Sequence, residues 1–245
     1  MKQFVQDVWK HLLLLRDLMI VGSAFMGGMY LVGIGIVISA VLMAWIDRDE
    51  GIVLVGGIML LMALVYMCFF SAAQMVSNYN YAIAMGQTRR QTMPAYLTAT
   101  FIVYLIFDLL AVVLHGIERW LMSVVCAGLP QEDVIEPLMR VKYLLLLALA
   151  GTAVTMLLGA AIIKFGKAAF VAFWVVIMAV CIGGGRFSNY LGGAGAGSAL
   201  AHWVQQQAAY IGAHVQAVVI GGGTAASVIC ILAAYLMLRR QQVTV

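Results

Sequence analysis

The sequence has very little charge, since only 10% of its 245 residues are Asp, Glu, Lys or Arg. Hydrophobic residues make up 64% of the chain, and the mean hydropathy is +1.03. A soluble globule needs more polar surface than this to face water, so that class of protein is excluded. The composition predicts an integral membrane protein whose surface is mostly covered by lipid.

Cysteine is scarce as well, with 4 residues in the whole chain. Cys68, Cys181 and Cys230 lie in apolar runs, and only Cys126 lies close to a polar loop. One exposed thiol cannot build a disulfide framework, and the sequence has no CxxC or Cys/His spacing for a metal. Both a disulfide-stabilised domain and a zinc site are excluded.

The signatures of membrane proteases are missing too. The sequence contains no HExxH motif and no pair of glutamates with a histidine inside its apolar runs. Ser198 and His202 have i, i+4 spacing, but they lie in a polar loop without a GxSG motif. We therefore expect a protein that is not an enzyme.

Long apolar runs, in contrast, recur along the chain. A helix needs about 20 mostly apolar residues to cross a bilayer. The runs predict an all-α polytopic membrane protein with six transmembrane helices, at 17–46, 52–76, 96–124, 141–163, 168–184 and 211–238. Residues 17–238 would form the membrane domain, 1–16 an amphipathic interfacial helix, and 239–245 a tail.

Residues 1–15 combine two kinds of side chain at helical spacing, which is typical of a helix lying in the membrane interface. One face carries Phe4, Val5, Val8, Trp9, Leu12 and Leu13, and the other carries Lys2, Gln3, Gln6, Asp7 and Lys10. The first long apolar run begins only after Arg16, so we expect no cleaved signal peptide.

Basic residues at the ends of the spans predict the orientation. One side would carry Lys2, Lys10, Arg16, Arg89, Arg90, Lys164, Lys167, Arg239 and Arg240; the other Asp47, Asp49, Glu50, Glu132, Asp133 and Glu136. The exceptions are Arg48, Arg119, Arg140, Lys142 and Arg186. The positive-inside rule then predicts a multi-pass protein of the cell membrane with both termini in the cytoplasm. The net charge of +4 is explained by this topology and by anionic headgroups, without a nucleic-acid partner.

The stretch 77–94, between the second and third spans, is too polar to be buried in lipid. Gly86 can close a helix in the left-handed conformation, Thr88 and Gln91 have the spacing of a capping box, and Pro94 is tolerated in the first turn of the next helix. The pattern predicts a helix, a break and a second helix, with Arg89 and Arg90 presented at the corner. Those arginines could also serve only as anchors to lipid headgroups.

The run from Tyr81 to Arg90, Tyr-Ala-Ile-Ala-Met-Gly-Gln-Thr-Arg-Arg, resembles a segment of ABC-2 type permeases in which a helix ends in Met-Gly or Leu-Gly before Ser or Thr and two basic residues. The wider plan is similar to the small permeases of bacteriocin, lantibiotic and drug export. It includes a basic turn at Lys164 and Lys167 and a last helix ending at Arg239 and Arg240.

This resemblance implies an ATP-driven exporter for an amphiphilic substrate such as a peptide, a drug or a lipid. The coupling element would be Met85, Gly86, Gln87, Thr88, Arg89 and Arg90, docked on a separate ATPase subunit, with Lys164 and Lys167 as a second contact. A second permease copy, or a related permease, would complete the pathway as a homo- or heterodimer.

The chain itself lacks a nucleotide-binding motif. A phosphate-binding loop has the form GxxxxGK[ST], whereas Gly166 and Lys167 are preceded by Ala161 and followed by Ala168 at the two remaining positions. If the resemblance holds, ATP and magnesium bind the partner ATPase, and this chain carries no cofactor.

Three ionisable residues in the third span call for a functional hypothesis, because a charge at the centre of a membrane helix costs about 2.5 kcal/mol or more. Asp108 lies midway along the span, and His115 and Glu118 follow near the same helical face. They could line a substrate cavity, pair with another helix as a structural network, or lie at a water-exposed outer end.

Two other functions remain open on the sequence. Asp108 would suit an ion-coupled secondary transporter, although such proteins usually have broken helices and internal repeats. A sensory or structural membrane subunit without transport activity is the other alternative.

Overall fold

The computed structural model describes residues 2–42, 52–53, 55–84, 89–125, 132–133, 136–137, 139–176, 178–179 and 214–239. Its helices are α1 (Lys2–Leu14), α2 (Arg16–Leu42), α3 (Val55–Ala84), α4 (Arg89–Val125), α5 (Val141–Phe165) and α6 (Lys167–Val176). The last helix, α7, begins at Val215–Ala217, passes through a π-helical segment at Val218–Gly222 and continues as Gly223–Arg239. Two short strands, β1 (Ile52–Val53) and β2 (Glu132–Asp133), pair in parallel. The described chain is otherwise built of helices.

Four of these helices are long and apolar enough to cross a membrane: Arg16–Ile38, Thr92–Val124, Val141–Phe165 and Val218–Arg239. By length and composition they are the helices of a membrane protein. They correspond to the first, third, fourth and sixth predicted spans. The second predicted span falls on α3, a helix of 30 residues, and the fifth on the shorter apolar helix α6. Six crossings and the orientation of the termini stay predictions.

Helices α2 and α4 run in the same direction, with α3 between them in the chain. Gly22 lies against the ring of Phe107. Further along both helices, the Tyr30 hydroxyl donates a hydrogen bond to the Leu114 carbonyl, at 2.7 Å. Because the residue numbers rise together, the two helices are parallel.

Helix α3 runs the opposite way to α4. The Tyr96 hydroxyl donates to the Ser71 carbonyl at 2.9 Å, and the Tyr104 hydroxyl donates to Cys68 Sγ at 3.3 Å. Residue numbers therefore rise along α4 as they fall along α3. This antiparallel pair forms the centre of the described bundle.

Helices α5 and α7 are parallel to each other and to α3. Lys142 Nζ donates to Gln216 Oε1 at 3.1 Å near the beginning of both α5 and α7. Leu146, which lies one turn further along α5, then packs against Gly223, which lies about two turns further along α7. Further along α5, Gly159 packs against Met75 of α3.

These directions define two ends of the bundle. At the first, which we call the basic end, α2 and α4 begin and α3, α5 and α7 finish; it carries Lys10, Arg16, Arg89, Arg90, Lys164, Lys167 and Arg239. At the opposite end, Arg119 Nη1 lies 3.9 Å from Glu136 Oε2, close to the beginning of α5. The basic residues that the sequence assigns to one side of the membrane are thus grouped within the described fold.

The core is centred on α4, where small residues let the helices approach closely. Tyr104 is buried, and its hydroxyl also shares a 2.8 Å hydrogen bond with Thr155 on α5. Its ring lies against Gly151, where an added Cβ would be 2.6 Å from Cε1. The position therefore requires glycine, and Tyr104 connects α3, α4 and α5.

Several predicted boundaries are wrong. The second span is predicted from residue 52, but Ile52–Val53 pairs with β2 as a strand and α3 begins only at Val55. Helix α3 continues to Ala84 instead of ending near residue 76, and α4 begins at Arg89 instead of Tyr96. Polar residues mark the edge of the hydrocarbon layer, but a helix can continue past that edge. Pro94 lies inside α4, beyond its first turn, which corrects the predicted position. Its ring nitrogen has no hydrogen to donate, so the carbonyl of Arg90 receives no helical hydrogen bond from it.

Helix α1 has three faces where the sequence predicts two. Asp7, Val8, His11 and Leu15, the residue after the helix, are buried. A second, apolar face with Val5, Trp9 and Leu13 is exposed, and a third carries Gln3, Gln6 and Lys10. The prediction that Asp7 lies on the water-facing side is wrong, because this residue lies one turn before His11 on the packed face.

Candidate functional site

The predicted coupling corner falls between α3 and α4. Helix α3 ends at Ala84 and α4 begins at Arg89. Both helices that the sequence predicts around the break are therefore confirmed. Met85, Gly86, Gln87 and Thr88 lie outside the described residues. Arg89 and Arg90 are the first two residues of α4, at the basic end of the bundle.

Helix α1 is packed against the beginning of α4, close to this corner. The rings of His11 and Tyr96 meet edge to face, with centroids 5.7 Å apart and an interplanar angle of 88°. Tyr96 is buried, and its hydroxyl donates to the Ser71 carbonyl on α3. Three helices are therefore joined through one tyrosine, about two turns after Arg89.

His11 is a buried base in this junction. Only 3% of the residue is exposed, and its Nδ1 has no hydrogen-bond partner among the described residues. Burial lowers the pKa of His11 from its ordinary value of 6.5, with Asp7 opposing the shift and Lys10 adding to it. Asp7 is itself buried and lies 3.6 Å from the exposed Lys10 ammonium. The histidine is therefore most stable in its neutral form.

The predicted second contact lies in the turn between α5 and α6. Helix α5 ends at Phe165, Gly166 follows with a φ of 66°, and α6 begins at Lys167. A positive φ favours glycine, so the sequence stops the helix at this point. Lys164 and Lys167 are exposed on either side of the turn. The basic turn that the sequence predicts is therefore present at the basic end.

The polar residues predicted in the third span are all buried in α4. Asp108 is 4% exposed, His115 is 6% exposed and Glu118 is 1% exposed. His115 Nδ1 lies 4.0 Å from Glu118 Oε2, one helical turn apart. Asp108 lies seven residues before His115, which is about 10 Å along the helix axis. The set therefore divides into a His115–Glu118 pair and a separate carboxyl.

This burial argues against one of the three alternatives left open by the sequence. A water-exposed outer end does not describe residues that are at most 6% exposed. The His115–Glu118 pair fits a structural network within the bundle, near the hydrogen bond that joins Tyr30 to Leu114. No comparable pairing explains why Asp108 is buried. Among the described residues, no three His, Cys, Asp or Glu side chains are grouped to hold a metal ion.

Sequence reasoning missed the role of His11. The histidine follows Asp7 by four residues and precedes Leu15 by four, and that spacing places all three on one helical face. The polar pattern of the sequence instead predicts that Asp7 lies on the face with Gln3, Gln6 and Lys10. The buried face of α1 cannot be predicted without the helix it packs on. Asp7 and His11 are buried, whereas Trp9 and Val5 are exposed.

Comparison with known proteins gives no further guide to this site. No protein-family model matches the chain, and no curated protein or solved structure is significantly similar to it. The geometry and the sequence motif therefore carry the functional argument.

Proposed function

We propose that this chain is the membrane permease subunit of an ABC-2 type exporter, driven by a separate ATPase subunit. Its coupling element is the corner from Met85 to Arg90, and its substrate is an amphiphilic molecule, with a peptide favoured by the family resemblance. Two permease copies, or this chain and a related one, form the pathway. The protein resides in the cell membrane with both termini in the cytoplasm.

One observation carries this proposal: α1 packs against α4 about two turns after Arg89, the last residue but one of the proposed corner. The His11–Tyr96 contact and the Tyr96–Ser71 hydrogen bond connect α1, α4 and α3. A force applied at Arg89 would therefore act on three helices together. A rigid-body displacement at one interface can in this way reach the whole bundle.

The charge at the basic end supports docking of an acidic surface. Arg89 and Arg90 begin α4, while the exposed Lys164 and Lys167 flank the α5–α6 turn at the same end. Arginine binds carboxylates with a planar pair of donors, which suits a defined contact better than lysine does. We assign the main coupling contact to the arginines and a second contact to the lysines.

The helix directions support the predicted six crossings. Helices α5 and α7 are parallel, as judged from the Lys142–Gln216 and Leu146–Gly223 contacts. The chain between them has to return along the bundle, and α6 begins that return at the basic end. The parallel pair α2 and α4 requires α3 to return in the same way.

The test is to purify the chain in mild detergent from its native host and to identify the proteins that accompany it by mass spectrometry. We expect a stoichiometric ATPase with the wild type, lost in the Arg89→Glu/Arg90→Glu double variant. Lys142→Glu is the matched control, because it reverses an exposed basic charge at the opposite end. The control should retain the ATPase. A wild-type preparation without any ATPase would contradict the exporter proposal.

A second candidate is an ion-coupled secondary transporter, favoured by the buried Asp108 in the middle of a span. This function would need no ATPase and would respond to an imposed ion gradient in vesicles. Wild-type chain that copurifies with no ATPase, yet moves a substrate when a gradient is imposed, would favour this candidate.

A further inference from the structure

Asp108 lies at the centre of the longest apolar helix within the described ranges that could cross a membrane. The span runs Thr92–Val124, so Asp108 is sixteen residues from either end. The side chain is buried by protein, with 4% of the residue exposed. The residue is therefore largely shielded from bulk water and from headgroups in this arrangement.

The carboxyl also lacks a partner among the described residues. Its Oδ2 accepts no hydrogen bond from them. The Tyr104 hydroxyl, one turn earlier on the same helix, is bonded instead to Thr155 and Cys68. A buried oxygen atom of this kind carries a large desolvation penalty if the group is ionised.

No fixed cation on the described helices compensates Asp108. Apart from residues at their ends, the packed helices α2, α3 and α7 have only tyrosine and cysteine as titratable side chains: Tyr30 on α2; Tyr66, Cys68, Tyr79 and Tyr81 on α3; and Cys230 and Tyr235 on α7. None of these side chains can carry a positive charge. Between Tyr143 and Lys164, α5 has no titratable side chain. On α4 itself, His115 is about 10 Å away and is adjacent to Glu118 instead.

Two buried acids on one helical face thus have different surroundings. Glu118 lies 4.0 Å from a histidine nitrogen that can carry a positive charge. Asp108 has neither a cation nor a hydrogen-bond donor within the described bundle. The two acids therefore differ in whether a neighbouring group could compensate a negative charge.

We propose that Asp108 is a proton-binding site inside the membrane domain, occupied in this arrangement of the helices. The bound proton converts the carboxylate to a carboxylic acid, which removes the uncompensated charge and adds one hydrogen-bond donor. The proposal does not rest on ATPase coupling, because it concerns only the interior of this chain. In an exporter the site would couple proton exchange to helix opening, and in a secondary transporter it would hold the coupling ion.

The test is infrared spectroscopy of the purified full chain in lipid bilayers, compared between the wild type and Asp108→Asn. A carboxylic acid has a C=O stretching band at higher frequency than a carboxylate. We expect this band in the wild type at neutral pH, its loss in Asp108→Asn, and its decrease in the wild type only on raising the pH further. The band should shift in deuterated buffer.

Glu118→Gln is the matched control, because it alters the other buried acid on the same face. This variant should retain the band. Asp108→Glu provides a further variant that keeps the carboxyl, and it should move the frequency of the band without removing it. A band that survives Asp108→Asn, or one lost only in Glu118→Gln, would overturn the assignment. So would a neutral-pH spectrum with no carboxylic acid band.

Discussion

The contact between Tyr104 and Gly151 allows a quantitative prediction, because the ring has no room to move. A Cβ added at Gly151 would lie 2.6 Å from Cε1 and 2.9 Å from both Cδ1 and Cζ of Tyr104. These distances are below normal contact, so one of the two helices has to shift. The ring is held by the hydrogen bonds of its hydroxyl to Thr155 and Cys68.

Two other glycines provide a matched series for the same substitution. Gly159 is also crowded, but its nearest neighbour is the flexible Met75 side chain, which can change rotamer. Gly28 has nothing within 4 Å of an added Cβ. All three lie in helices, so the intrinsic gain from replacing glycine by alanine is about 1 kcal/mol at each and cancels in the comparison.

Overpacking a well-packed core typically costs about 1–3 kcal/mol. We therefore expect Gly151→Ala to be about 1–3 kcal/mol less stable than Gly28→Ala, with Gly159→Ala between them. The measurement is the free energy of unfolding in mixed detergent micelles, followed by intrinsic fluorescence. Gly151→Ala could instead prove as stable as Gly28→Ala, or more stable than Gly159→Ala. Either result would refute the claim that the Tyr104 ring cannot move away from an added Cβ.

Two further predictions concern single side chains. Tyr104→Phe removes both hydroxyl hydrogen bonds and should lower the free energy of unfolding by about 0.5–1.5 kcal/mol, measured in the same micelles. His11 has a lowered pKa, so undocked α1 binds a proton more readily; docking of α1 should be strongest above pH 6.5 and weaken as the pH falls below it. Hydrogen exchange of the α1 amides, corrected for intrinsic rates, measures this docking.

The Tyr104 and His11 predictions each have a control variant. Tyr81→Phe alters an exposed tyrosine and should leave stability unchanged, so an equal effect there would contradict the account of Tyr104. His11→Phe keeps an aromatic ring against Tyr96 but cannot take up a proton. The pH dependence of α1 exchange should vanish in that variant, and its persistence would assign the effect to another group.

Composition and apolar runs predict the class of protein and the four long apolar helices, because crossing a membrane constrains every residue of a span in the same way. Span boundaries are less predictable. Ser77 to Asn80 are polar, yet α3 continues through them to Ala84. Polarity signals the edge of the hydrocarbon layer, whereas the end of a helix depends on its own capping residues.

The candidate site residues also differ in how far the sequence predicts them. Asp108, His115 and Glu118 could be identified from the sequence because ionisable residues are rare in spans, but their burial and pairing depend on neighbouring helices. Asp7 and His11 could not be assigned to a packed face without α4. The π-helical segment at Val218–Gly222 depends on local backbone hydrogen bonding, which the apolar run of the last span does not reveal.

The parallel packing of α5 and α7 has a consequence for biosynthesis. Helix α5 leaves the ribosome well before α7, and about seventy residues separate the start of one from the start of the other. At typical rates of translation, α5 waits several seconds or more for the neighbour against which Leu146 packs. During that interval its unpaired face is exposed to lipid, to an insertase or to a membrane protease. Chains truncated before α7 should therefore be cleared by membrane quality control faster than chains lacking only the last residues after Arg239.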